Sequence, residues 1–279
     1  MRIALAKPVV TGILLLGNWF LLIHGVSPAS AQESSLQTQY QGAYQVHRQA
    51  LLNIAEKCKE LGRNDLAEYT RSWVPQKDPA RDYFYLLPTH RRTSVPELSG
   101  QTGQFWFKAF QNRRKAYSAE LLRLARLANT RKDYSLAFQL LHECLFQDPE
   151  NTVAQKILGA SSSPMKVRVN RYRQADRLLP GGSITKYETD HFVLYTTIDQ
   201  EIAEKAIQNF EQWYGVWRQH FYSYWASATW MSRRFEADVK TPRRSKKFKV
   251  VLYPNRQEYL EKLKPTTPGI EVSLGYYLF

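Results

Sequence analysis

Long apolar runs are scarce in this 279-residue chain. After residue 31 none approaches the roughly 20 apolar residues that a membrane-spanning helix needs, so the mature protein is expected to have no stable span. Cysteine is reduced to Cys58 and Cys144, with no Cys-x-x-Cys, and the six histidines (His24, His47, His90, His142, His191 and His220) stand apart. Such spacing offers no cysteine or histidine metal site, and no cofactor is expected in the chain as it stands. His142-Glu143 opens like a zinc-binding helix, but Phe146 stands where the motif needs its second histidine. The pair is therefore expected on solvated helix surface. The basic stretches come without a glycine-rich phosphate loop, and no complete catalytic constellation is present.

What is present begins with an address. Arg2 and Lys7 precede an apolar run over residues 9–26, and Ala29-Ser30-Ala31 follows. Basic, apolar and small-x-small segments in that order make a secretory signal peptide of residues 1–31, with Gln32 as the new N-terminus. An uncleaved membrane anchor is the alternative, which Gly17, Asn18 and His24 argue against by interrupting the run. A secreted or periplasmic location follows. The formal net charge is +14, and +12 once Arg2 and Lys7 are gone, which favours acidic partners. For an exported protein an anionic envelope polymer is the available one, and nucleic acid is not expected. An oxidising compartment also permits a disulfide between Cys58 and Cys144.

Residues 32–160 read as helical, and they repeat. Placing Asp78-Pro79 on Asp148-Pro149, an offset of 70, aligns Leu51 with Leu121, Ile54 with Leu124, Ala55 with Ala125, Cys58 with Ala128, Leu66 with Leu136 and Ala67 with Ala137. Each unit is a helix, a polar turn, a second helix and a proline stop. The second unit resembles a tetratricopeptide repeat through Leu121, Leu124, Ala125, Ala128, Ala137, Leu141, Cys144 and Pro149, with Ala154 and Leu158 starting a capping helix. In the first unit Arg71 stands where a large apolar residue is expected. Both cysteines fall at interior positions that want small side chains, so buried thiols compete with the disulfide. Two units are fewer than the ~3 needed for independent stability, so this region should pack extra helices or lean on the rest of the chain. Repeats of this kind imply a protein partner.

Residues 161–184 read as a basic linker carrying Lys166, Arg168, Arg171, Arg173 and Arg177. A buried strand follows at 190–197, then a helix whose Ala203, Ile207, Phe210, Trp213 or Tyr214, Trp217, Phe221 and Tyr224 form an aromatic stripe expected to cover the sheet. A basic insertion at 226–247 holds Trp230, Arg233, Arg234, Phe235 and Lys240, with Arg243, Arg244, Lys246 and Lys247 as candidate anion-binding residues. A second strand at 248–253, a short helix to 263 and an extended segment at 270–279 complete the chain. The fold class is therefore α+β: N-terminal helical hairpins followed by a small α/β layer at 185–279, ordered strand-helix-strand-helix-strand, its first two strands parallel.

The phrases Tyr187-Glu188-Thr189-Asp190-His191-Phe192, Trp213-Tyr214-x-x-Trp217, Lys249-Val250-Val251-Leu252-Tyr253 and Gly275-Tyr276-Tyr277 resemble the leading portion of peptidase-MA-like gluzincin domains. The closest branch is that of secreted bacterial proteins of unknown function with tetratricopeptide-like helices upstream. The resemblance implies that such a layer precedes a helix with His-Glu-x-x-His, where two histidines bind zinc and the glutamate activates water. No histidine pair here fits that motif, so the layer is expected to be a truncated version of it, catalytically inactive as given, with zinc relevant only to a longer product. His191, beside Glu188 and Asp190, is expected to be a polar residue at a strand edge.

Overall fold

The computed structural model describes residues 4–6, 28–78, 81–87, 96–160, 165–173, 178–227, 229–236 and 246–272, with side chains from residue 36 onward. The architecture is α+β and falls into two compact units. The first comprises Met1–Ser162 and Arg218–Val239; the second comprises Ser163–Trp217 and Lys240–Phe279.

The first unit is helical. Helix α1 (Pro28–Glu60) pairs with α2 (Asn64–Ser72), and α3 (Gly100–Thr130) pairs with α4 (Tyr134–Gln147) and α5 (Thr152–Leu158). A two-stranded antiparallel ladder joins β1 (Ala4–Ala6) to β2 (Arg81–Tyr83). The 70-residue repeat holds down to single hydrogen bonds. Gly62 donates to the Lys59 carbonyl and Arg63 to that of Cys58; 70 residues on, Lys132 donates to Asn129 and Asp133 to Ala128. At the same point of both turns the backbone enters the left-handed region, at φ 75° for Gly62 and 64° for Lys132. Leu51 and Leu121, Ala55 and Ala125, and Ala67 and Ala137 are all fully buried, the leucines filling the core and the alanines letting the paired helices approach. Cys58 and Cys144 are free thiols, both buried. Burial pushes the Cys144 thiol up to about 11, and its sulfur lies 3.0 Å from the Ser118 hydroxyl.

The two hairpins do not close this core by themselves. Helices α7 (Tyr222–Trp225) and α8 (Trp230–Glu236) supply Tyr222, Met231, Trp225, Trp230 and Phe235 to the cluster built on α3 and α4. The front of the supposed basic insertion is thus structural. Arg234 is buried and donates to the Lys156 carbonyl at 2.8 Å and to that of Ile157, capping the C-terminal end of α5.

The second unit is a four-stranded sheet in the order β3 (Arg168–Arg171), β4 (Thr185–Glu188), β5 (Phe192–Thr196), β6 (Phe248–Leu252). The first two pairings are antiparallel and β5–β6 is parallel, in register Leu194 with Val250. Helix α6 (Gln200–His220) runs between the parallel strands, and its start is fixed by the Asp199 carboxylate accepting from the Glu201 amide. Tyr187 and Leu194 from the sheet and Ala203 and Ile207 from α6 form the core. After β6, Asn255 caps α9 (Arg256–Leu263).

Three expectations need correction. The region taken as a linker contains β3, because alternating Arg168-Val169-Asn170-Arg171 pairs with β4 and needs burial on neither face. The aromatic stripe covers the sheet only as far as Tyr214: Trp213 and Trp217 are exposed, and Phe221 and Tyr224, also exposed, lie beyond the end of α6 at His220. Ile270–Val272 is a 3-10 turn, not the start of an extended segment, and residues 273–279 lie outside the described residues.

Candidate functional site

The four candidate anion-binding residues are not seen together. Arg243 and Arg244 lie outside the described residues, and Lys246 is exposed. Lys247 is half-buried and already committed: its ammonium donates to Glu188 Oε1 and to the Thr189 carbonyl, each at 2.6 Å. Lys186 approaches the other Glu188 oxygen at 3.0 Å. Between the two ammonium groups the Glu188 carboxyl falls to about 2. Exposed cationic side chains stand instead on and around the edge strand β3, at Lys166, Arg168, Arg171 and Arg173.

His191 is more than an edge residue. Its backbone amide donates to Glu211 Oε1 at 2.8 Å, and its Nδ1 lies 2.7 Å from Glu211 Oε2. Ala203, Ile207 and Glu211 follow one another at intervals of four, so the buried stripe of α6 carries this carboxylate to the sheet. Burial works to raise the Glu211 carboxyl, but the His191 contacts outweigh it and hold the group below the usual carboxylate range. With Glu211 ionised, Nδ1 carries the shared hydrogen and Nε2 faces away from the carboxylate. Glu188 and Asp190 are its neighbours along the chain, but its hydrogen-bond partner Glu211 stands 20 residues away on α6.

Aromatic rings surround this pair. The His191 imidazole lies 4.6 Å from the Tyr214 ring, Phe192 packs on Phe248 at 5.5 Å, and Tyr214 stacks on Trp217 at 6.0 Å with the planes 8° apart. Trp213 is 49% exposed and Trp217 43%. The chemistry on offer is an oriented imidazole beside a flat aromatic surface. One imidazole and the carboxylate hydrogen-bonded to it are too few ligands for the zinc that the family resemblance implies. Among the described residues no three His, Cys, Asp or Glu side chains converge on a metal position.

The helical unit holds a second polar centre. His142 and Glu143, expected on a solvated surface, are both buried, because α4 is packed on every side by α3, α5, α7 and α8 and by side chains of α1. Glu143 accepts from Tyr40 at 2.7 Å, from Tyr117 at 3.1 Å and from Lys77 at 3.3 Å, and Tyr85 also hydrogen-bonds it. Burial and the Glu143 charge raise all three phenols. His47 stacks on Tyr117 at 4.1 Å and is fully buried, and among the described residues neither of its ring nitrogens has a hydrogen-bond partner. Burial, then the nearby Arg113, Arg114 and Lys77 charges, drives this imidazole down to about 3.

No family model, curated protein or solved structure matches the chain.

Proposed function

We propose that this chain is an exported protein with a binding or assembly role, acting through exposed surface rather than through chemistry of its own residues. The observation that carries this reading is the pair Trp213 and Trp217, four residues apart on α6 and both substantially exposed, with Tyr214 stacked behind Trp217. Large aromatics left in solvent on a rigid helix are the usual anchors of a protein interface. A photoreactive residue placed at 213 or 217 and activated in the producing cell should give a discrete adduct, and one placed at Lys205 should not. Equal adducts at all three positions, or none, would remove the proposal. N-terminal sequencing of the mature product should begin at Gln32.

A second reading, an adaptor for an anionic envelope polymer, is supported by the exposed arginines of β3 and its flanks. Retention on a polyanion should weaken with salt and weaken further when Arg168, Arg171 and Arg173 are changed to Gln. A third reading, the front end of a secreted zinc metallopeptidase, draws support from the order β5, α6, β6, α9. Coding sequence downstream of Phe279 that lacks His-Glu-x-x-His over a domain length would exclude it.

A further inference from the structure

We propose that the Glu143 centre of the helical unit is a binding site for a primary alkylammonium ion, which Lys77 occupies in cis. The Lys77 ammonium sits over four tyrosine rings, 4.1 Å from the centroid of Tyr44, 4.9 Å from Tyr40, 5.4 Å from Tyr85 and 5.8 Å from Tyr83. It donates to the Tyr40 hydroxyl at 2.5 Å and to Glu143 at 3.3 Å. Rings that present their negative faces, with a buried carboxylate at the base, bind organic cations in general. Two acceptors in direct reach of the nitrogen select a primary ammonium over a quaternary one, which has no hydrogen to give.

Several elements converge to build this cage. Tyr40 and Tyr44 come from α1, Tyr83 from β2, Tyr85 from just beyond it, and Glu143 from α4. Lys77 reaches it from the irregular segment at 75–78, which is tied down by the Tyr44 hydroxyl donating to the Pro75 carbonyl and by the Asp78 amide donating to the Tyr83 hydroxyl. The occupant thus arrives on a loop while the walls stand on helices and a strand. The Lys77 side chain keeps 18% of its area in solvent, against 3% for Glu143, so the occupant is reached from the surface. Withdrawal of the loop would expose a preformed cage to a free primary amine.

The test uses the full chain, with n-butylammonium as the probe, tetramethylammonium as the quaternary control and n-butanol as the neutral one. Lys77→Ala should be stabilised saturably by n-butylammonium, at least tenfold less effectively by tetramethylammonium, and not by n-butanol. Lys77→Ala combined with Glu143→Gln should lose the response. In the wild-type protein, n-butylammonium should act only at concentrations at least tenfold higher and should speed amide exchange at residues 76–78 as the lysine leaves. That measurement also decides the matter if Lys77→Ala does not fold. Equal stabilisation by n-butanol would show an apolar hole and overturn the proposal. So would wild-type exchange unchanged at saturating amine, which would make Lys77 a fixed strut.

Discussion

At the scale of single residues, the two repeats differ most informatively at one backbone angle. Gly62 and Lys132 occupy the same left-handed position, where a side chain costs roughly 1–2 kcal/mol and glycine costs nothing sterically. Part of that gain is returned, because glycine is freer in the unfolded chain. Lys132→Gly is therefore expected to stabilise the protein by about 0.5–1 kcal/mol in urea denaturation. His47 makes the complementary prediction for pH. Its folded value of about 3 lies below the unfolded value of 6.5, so folding favours the neutral ring. The stability it contributes is complete above pH 6.5 and is lost as pH falls towards 3, at no more than about 1.4 kcal/mol per pH unit. His47→Phe keeps the stack on Tyr117 and should flatten the acid limb of the stability curve over that window. An unchanged limb would show that other groups set it.

At the scale of elements, α4 explains why the polar centre was hidden. Periodicity sorts residues into one buried and one solvated face, and His142 and Glu143 sort as solvated. Yet α4 is buried on all sides from Leu140 to Gln147, so no face of it is solvated there. A buried carboxylate is tolerable only with partners, and all of its donors come from other elements. The sequence carries no signal for it: Tyr40, Tyr44, Tyr83, Tyr85 and Tyr117 are spread over 78 positions, in a chain whose 17 tyrosines run through both halves. Helix α5 shows the same dependence on distant chain. Its last carbonyls are capped by Arg234, 77 residues further on. Arg234→Ala is expected to cost about 1–2 kcal/mol, since the carbonyls lose a charged donor and the dipole loses its counter-charge. Arg234→Lys should recover only part of this, having no planar fork.

At the scale of the whole molecule, the helical unit is discontinuous in sequence, and this decides what holds it together. Two repeat units are expected to need outside help, and α7 and α8 provide it. Met231 is fully buried among residues of α3, α4 and α5. Met231→Ala should cost about 2–3 kcal/mol, and the lost protection should be read by amide exchange in α4 and α5. Protection in β5 and β6 should be unchanged, because their core is built separately from Tyr187, Leu194, Ala203 and Ile207. A uniform loss across both sets would mean that the two units unfold as one.

The sequence by itself determined whatever depends on neighbours along the chain. The hairpin offset of 70, the interior placement of both cysteines and the parallel β5–β6 crossover follow from periodicity and handedness, which are local rules. Tertiary structure alone decided what depends on which surfaces meet. It paired β3 with β4, exposed Trp213 and Trp217, brought Glu211 to His191, and gathered Lys77, four tyrosines and Glu143 into one centre. The physical reason is that a polar or aromatic side chain carries the same local signal whether solvent or a partner awaits it. Only the arriving partner, set tens of residues away, turns it into surface, core or site.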